Sequence, residues 1–200
     1  APGQKWEVHP AAAGLPNDDR QWIAAYGSST VYVSYAQEGT LVTNPPGVVG
    51  LFVTKSTDAG KTFGVPTPIT PVTALDSVNV QGNLVVDPYT GNLYTAYLLN
   101  ASLNAIQVAR SMDGGATWTS TTAYTGPAGT DNRGVFPILA IDRGGNLHLV
   151  FTRVEANRHC HVYLTSTANP SAANPTWLPA VQVDSGSGNT TTAVEPWVVG

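Results

Sequence analysis

Residues 56–63, Ser-Thr-Asp-Ala-Gly-Lys-Thr-Phe, recur at 111–118 as Ser-Met-Asp-Gly-Gly-Ala-Thr-Trp. The shared pattern is Ser-x-Asp-x-Gly-x-Thr followed by an aromatic residue, and the two copies begin 55 residues apart. Because sequence typical of β-strands lies on both sides of each copy, the octapeptide marks a repeated hairpin turn. Periods of this order are typical of propeller blades and of other repeat arrays.

Each unit of the repeat begins with two strands joined by a tight turn. The turns are rich in Gly and Asn, which supply the positive φ angles that hairpins require. The first strand of each pair is almost entirely apolar, as expected of a strand buried on both faces, and the second alternates more. The pairs are 22–26 with 31–35, 83–87 with 93–97, and 138–142 with 147–151.

A third and a fourth strand follow in each unit, and the octapeptide lies between them in the first two units. Four-stranded antiparallel units that repeat every 55 to 61 residues predict the blades of a β-propeller. No segment of useful length has the period of a helix. The predicted third strands are 49–54, 105–110 and 161–165, and the predicted fourth strands are 67–70, 121–124 and 180–184.

The predicted fold is therefore all-β, with about three blades and the first strand of a fourth in an incomplete ring. Propellers of about 4–8 blades close into a ring to hide their sheet edges, so we expect further blades or another chain to complete this one. The predicted boundaries are 1–18 for an N-terminal extension that supplies an outer strand of another blade, 19–71, 80–126 and 135–185 for the blades, and 195–200 for the next strand.

Composition limits the classes of function. The chain is 42% apolar and only 11% charged, and its net charge of −4 provides no basic surface for nucleic acid or anionic membrane. No apolar run approaches the roughly 20 residues that span a membrane. Scarce Lys and abundant uncharged polar residues favour a secreted or cell-surface protein. Cys160 is the only cysteine, so no intrachain disulfide can form.

The octapeptide resembles the Asp-box, or BNR repeat, of sialidases and related β-propellers. The resemblance covers about residues 19–200 and implies a turn between the third and fourth strands of a blade. The third unit departs from the pattern, because 166–168 lacks the Asp and only 174–177 restores the end. The matching positions are Ser56, Asp58, Gly60, Thr62, Phe63, Ser111, Asp113, Gly115, Thr117 and Trp118.

The motif also has a direct physical interpretation. An Asp carboxylate can accept hydrogen bonds from the amides of its own turn. Gly60 and Gly115 permit the left-handed backbone that such a turn needs. We therefore interpret Asp58 and Asp113 as residues that fix turns and not as catalysts.

Charged residues, which are sparse, gather in the loops at the end of the blades opposite the octapeptides, where propellers often bind ligands. The resemblance implies an arginine cluster for a substrate carboxylate, an Asp as acid/base and a Tyr–Glu pair as nucleophile. We predict that Arg20, Arg133 and an Asp from 18–19 converge on one side of the ring. The candidates are Asp18 or Asp19 as the acid, and Arg20, Arg133, Asp131 and Arg153 for substrate binding.

The alternative interpretation is that these residues form salt bridges in loops or cap strand ends. Residues 20–22 read Arg-Gln-Trp, where the family has Arg-Ile-Pro, and a nucleophilic Tyr is expected in later blades.

Two further groups of residues are candidate ligand contacts. His159 and His161 share one face of a predicted strand, His148 lies on the neighbouring strand, and imidazoles can bind Zn or Cu. No carboxylate or second Cys lies at a helpful spacing, so we predict no metal and no cofactor, with Cys160 packed as a small apolar residue. Tryptophans could stack on sugars, but repeat-equivalent positions favour core packing for Trp22, Trp118, Trp177 and Trp197.

Three functions remain open: a secreted glycoside hydrolase of sialidase type, a noncatalytic propeller that binds glycans or another surface polymer, and an assembly module that binds other chains. We interpret the chain as a secreted, sialidase-like propeller segment that recognises carbohydrate or an extracellular polymer. We do not expect these 200 residues to be active alone.

Overall fold

The computed structural model describes residues 18–38, 48–70, 78–99, 103–185 and 196–199, and these ranges contain twelve β-strands and no helix. The strands form three four-stranded antiparallel sheets in sequential order. The first sheet contains β1 (Asp18–Tyr26), β2 (Thr30–Glu38), β3 (Val48–Ser56) and β4 (Thr67–Pro68). The second sheet contains β5 (Val78–Val86), β6 (Leu93–Leu99), β7 (Ala105–Ser111) and β8 (Thr119–Thr125). The third sheet contains β9 (Ile138–Ile141), β10 (Leu147–Val154), β11 (Cys160–Thr167) and β12 (Val181–Gln182).

The three predicted blades are confirmed, but two of their outer strands are shorter than expected. β4 and β12 each contain two residues, whereas the sequence predicted 67–70 and 180–184. Pro66, Pro68 and Pro179 have no amide hydrogen, so they interrupt the ladder on these edges. Single backbone hydrogen bonds continue the pairing, from Ile69 to Leu51 at 2.7 Å and from Val183 to Val162 at 2.9 Å.

The cores lie between consecutive sheets, and the middle sheet is buried on both faces. On β6, Leu93 and Tyr97 pack against the first sheet, while Tyr94 and Leu98 belong to the cluster shared with the third. The inner strand β1 was expected to be buried on both faces, but half-buried and exposed residues alternate along it. Ile23 is 72% exposed, because none of the three described sheets covers that face of β1.

Residues 196–199, predicted to begin a fourth blade, contain no strand. In the three described sheets, the antiparallel partner of each first strand is the second strand of its own blade. Val198 nevertheless packs on Ile138, Val150 and Val162, on the face of the third sheet that points away from the second. The segment therefore covers the surface that a next inner strand would cover.

The inner strands of the second and third sheets approach closely at a glycine. A Cβ atom added to Gly82 would lie 1.8 Å from the carbonyl oxygen of Pro137. Beside it, Asn83 donates to the carbonyl of Leu139 at 2.9 Å and accepts from the Leu139 amide at 2.8 Å. This side chain thus continues the hydrogen bonding from one sheet to the next.

Gly82→Ala should lower the free energy of unfolding by about 1–3 kcal/mol, the usual cost of inserting a methyl group where no space exists. The matched control is Gly64→Ala, because a Cβ there meets only the Lys55 carbonyl at 3.6 Å. Urea unfolding of both variants measures the difference. Equal stability of the two variants would contradict the close approach.

The octapeptide turns are held by the network that their sequence predicts. In the second sheet, Ser111 Oγ donates to Asp113 at 2.7 Å, and Asp113 accepts from the Thr117 amide at 2.9 Å and the Thr117 hydroxyl at 2.6 Å. The same bonds join Ser56, Asp58 and Thr62. Hydrogen bonds from the threonine side chains, then from the backbone, lower the pKa of both carboxyls, to about 2 for Asp113.

The third unit contains a variant of the same turn that the sequence comparison misplaced. Thr167 takes the place of the serine and Asn169 that of the aspartate: Thr167 Oγ1 donates to Asn169 Oδ1 at 2.8 Å, and the Thr176 amide donates to the same oxygen at 3.0 Å. The acceptor and this threonine are seven residues apart instead of four, so three inserted residues hid the match.

Asp113→Asn should lower the melting temperature at pH 7 by about 1–3 °C, a small loss because solvent screens an exposed carboxylate. The pKa of Asp113 is about 2 in the folded chain, below the ordinary value of about 3.9. Its stabilisation is therefore complete above about pH 4 and is lost as the pH falls towards 2. Melting curves between pH 2 and pH 7 should show the two proteins converging in acid.

The reciprocal variant is Asn169→Asp, which places a carboxylate in the turn that lacks one. It should raise the melting temperature at neutral pH, since charge-assisted hydrogen bonds are the stronger ones. A pH-independent effect of either variant would argue against a charged acceptor in the turn.

Candidate functional site

The candidate acids and substrate-binding residues all lie at one end of the sheets. The loop end is defined here as the end where β1, β5 and β9 begin and where each second strand turns into the third; the box end is the opposite end, which carries the octapeptide turns. Asp18, Asp19 and Arg20 open β1, residues 131–133 precede β9, and Arg153 lies near the end of β10.

Arg20 has a strained backbone and reaches another blade. Its φ angle is +57°, which is uncommon for a residue with a Cβ, and the β1–β2 register shifts between Asp19 and Trp22. The guanidinium carbon lies 5.7 Å from the ring centre of Phe136, in the connection that also carries Arg133. The bulge therefore aims Arg20 at the loop before β9.

The two candidate acids differ in burial and in hydrogen-bond partners. Asp19 is the more exposed, and it accepts from the Arg20 amide at 2.7 Å and lies 3.7 Å from Arg20 Nε. Asp18 has one buried carboxylate oxygen without a hydrogen-bond partner, and desolvation raises its pKa. Burial and the Asp18 charge together raise the pKa of Tyr35. Asp18 is thus the carboxyl whose surroundings suit a proton donor.

Arg133 is bound by the aspartate two residues before it. Its Nε lies 2.9 and 3.0 Å from the Asp131 oxygens and its Nη2 lies 2.6 Å from Oδ2. Burial opposes ionisation of Asp131, but the hydrogen bonds from Arg133 outweigh it, so the pKa of Asp131 is lowered. Convergence of Arg20 and Arg133 on one ligand stays a prediction, since this pair occupies the Arg133 guanidinium.

Arg153 joins the second and third sheets. It donates to Glu155 at 2.7 Å, to Tyr124 of β8 at 2.6 Å and to the hydroxyl of Tyr163. Tyr163 in turn donates to Glu155 at 2.9 Å. Burial, then the bond to Glu155, raises the pKa of Tyr163 to about 12, so the phenol stays protonated at neutral pH.

The loop end also holds buried polar atoms that lack partners, which sequence reasoning did not single out. Gln81 and Asn132 are both fully buried; Gln81 Nε2 donates to Ser34 at 3.0 Å, but its oxygen accepts nothing. Both polar atoms of the Asn132 side chain and the Thr152 hydroxyl are also unpartnered. Gln81 lies between Asn79 and Asn83 on β5, and this run of amides on an inner strand was the available signal in the sequence.

The histidines do not gather. His148 lies at the box end, with its ring nitrogens 2.7 Å from Ser166 Oγ and 3.1 Å from Asp142 Oδ2. His161 pairs with Arg153, which lies five residues beyond His148 on β10. The two histidines are therefore roughly 16 Å apart along the strands. His161 contacts Asp184 at 3.0 Å. His148 and His161 therefore cannot share a metal ion, and no group of three metal-ligating side chains occurs among the described residues.

Asp18→Asn should stabilise the chain at neutral pH. When the pKa of a carboxyl is raised in the folded state, ionisation of that carboxyl lowers the free energy of unfolding. This loss of stability is therefore present above the ordinary pKa and disappears below it. Melting temperatures should show the variant above the wild type at pH 7 and equal to it near pH 3. Asp19→Asn, the control, should show no such gain, because Asp19 holds Arg20.

No protein-family model and no curated protein matches this chain. Solved structures share its fold. The Hadza microbial sialidase Hz136 aligns with a TM-score of 0.59 at 16% identity, over 78% of this chain and 36% of that one. A Dyadobacter fermentans protein of unknown function has a TM-score of 0.61 at 11% identity, over 82% and 51%. The Penicillium chrysogenum α-L-arabinanase complexed with arabinobiose has a TM-score of 0.53 at 16% identity, over 84% and 50%.

At these identities the likeness shows the fold alone. The chain spans roughly a third to a half of the structures that it matches. Together with the three sheets, the alignments establish the class: an all-β, partial propeller of four-stranded blades whose structural neighbours include glycoside hydrolases. Within the described ranges, no helix has the length and apolar character to cross a membrane.

Proposed function

We propose that this chain is part of a secreted, sialidase-like Asp-box propeller that binds carbohydrate at the loop end. The parent protein would be an exo-acting glycoside hydrolase of sialidase type. The two octapeptide turns and the third, Asn169-based turn support the Asp-box assignment, because all three have the same hydrogen-bonding plan.

The observation that carries the proposal is the set of unpartnered polar atoms at the loop end. Buried polar groups in folded proteins nearly always have partners, and each exception needs an explanation. Here the exceptions come from three different blades: Asp18, Gln81, and Asn132 with Thr152. Carboxyl, amide and hydroxyl groups suit the hydroxyls of a sugar, which both donate and accept.

The chemistry of the site restricts what a hydrolase could do here. Asp18 is the candidate general acid, since a raised pKa keeps a carboxyl protonated closer to neutral pH. Tyr163 has the carboxylate partner that the sialidase resemblance implies, but a pKa of about 12 makes it a poor nucleophile. The nucleophile is therefore expected in later blades, and Arg153 serves to join blades.

Asn132→Ala tests the binding site. The variant should weaken binding of a sugar at least tenfold, because a buried amide that bonds ligand hydroxyls is lost. Because Asn132 is fully buried, truncation can leave a cavity, so melting curves of the variant check that it is folded at the temperature of the titration. Nuclear magnetic resonance titration of the labelled chain with a panel of glycans provides the measurement, and exposed Asn174→Ala at the box end is the control.

Amide shifts confined to the box end, or equal binding by both variants, would refute a loop-end site. Hydrolysis of a fluorogenic sialoside, assayed on this chain and on a longer form with additional blades, separates an enzyme from a binder. Asp18→Asn should abolish hydrolysis, whereas Asp19→Asn should retain a measurable rate.

The alternative is a noncatalytic module that assembles with other chains. Exposure of Ile23, with the polar residues Asp19 and Gln21 beside it on the same face of β1, favours it, because exposed apolar groups rimmed by polar residues are typical of interfaces. Concentration-dependent self-association without glycan binding would support this alternative over the carbohydrate site.

A further inference from the structure

We propose that Trp22, Phe136 and Trp197 form an aromatic subsite for the ring of an uncharged sugar, an inference that rests on the proposed carbohydrate-binding function. The three side chains surround a cavity of about 290 Å³, termed here the aromatic cavity. Its lining consists of Trp22, Val135, Phe136, Ile138, Pro196 and Trp197.

The cavity brings together three segments that are far apart in the sequence. Trp22 lies on β1, Phe136 precedes β9, and Trp197 follows the third sheet. The ring of Trp22 lies 6.0 Å from Phe136 at 82° and 6.1 Å from Trp197 at 39°. Edge-to-face and offset contacts of this kind are the geometries that aromatic pairs prefer.

Trp197 differs from the tryptophans that build the core. It is 66% exposed, whereas Trp118 packs in the core between the first two sheets and donates its indole hydrogen to Gly115. A sugar ring presents a patch of C–H groups that can pack on such an exposed aromatic face. An exposed tryptophan beside a cavity therefore provides the platform that core tryptophans lack.

Trp22 supplies the polar contact. Its indole N–H is buried and finds no acceptor among the protein atoms. A buried indole donor normally has a partner. Trp22 lines the aromatic cavity, so a sugar hydroxyl that displaces the atoms covering this N–H would supply the missing acceptor.

The lining favours a neutral sugar over an acidic one. All six residues that line the aromatic cavity are apolar or aromatic. Arg20 lies at the Phe136 ring, but its Nε is 3.7 Å from a carboxylate oxygen of Asp19, which offsets its charge. The volume is at the low end of ligand pockets, which run from about 300 Å³, so one sugar unit fits.

The test titrates the chain with the methyl glycosides of galactose, glucose and arabinose, and with N-acetylneuraminic acid. Indole N–H resonances report on each tryptophan. A neutral glycoside should bind, and Trp197→Ala should weaken it roughly fivefold to tenfold, the effect of losing one aromatic contact. Trp22→Phe, which keeps a ring and removes the N–H, should weaken it to a smaller extent. Trp118→Phe at the box end is the control and should bind as the wild type does.

Each outcome decides between the two proposals. If a glycoside binds the wild type and both variants equally, the aromatic subsite is overturned while carbohydrate binding stands. If N-acetylneuraminic acid binds more tightly than the neutral glycosides in a Trp197-dependent way, the neutral preference is overturned. If no saccharide binds the wild type, both proposals fail. Trp197 is exposed, so its alanine variant should fold, and melting curves confirm this.

Discussion

A four-stranded sheet with two apolar faces must have a neighbour on each side, and this constraint governs the whole chain. The middle sheet satisfies it completely, because β6 is buried against the first sheet through Leu93 and against the third through Tyr94. The outer sheets satisfy it in part: Val198 covers the far face of the third sheet, and Ile23 of the first is left in solvent. Close approach at Gly82 then sets the spacing of the sheets.

The two ends of the sheets use polar groups in opposite ways. At the box end, each octapeptide carboxylate accepts several short hydrogen bonds within its own turn, so its charge is fully used in fixing the backbone. At the loop end, Asp18, Gln81 and Asn132 have buried atoms that bond nothing. Satisfied groups stabilise a structure, whereas buried unsatisfied groups cost free energy that a ligand can recover.

The arginines of the loop end illustrate how local pairing limits the functions of a site. Asp131 holds Arg133 within one loop, whereas Arg153, held by Glu155 and two tyrosines, joins the second and third sheets. Arg20 differs because a bulge and a positive φ angle aim it at Phe136 of another blade. Strain of this kind is commonest where a side chain has a task beyond packing.

The sequence by itself determined the repeating unit, because strand alternation and turn residues are local properties: the three sheets and the octapeptide turns follow from them. It also identified the loop end, since strand direction decides which residues share an end. Only the tertiary structure decided which groups meet there. The different burial of Asp18 and Asp19 and the joining of Trp22, Phe136 and Trp197 depend on how distant segments pack. Such contacts leave no periodic signal, because burial and partnership are properties of the packed sheets and not of any one strand.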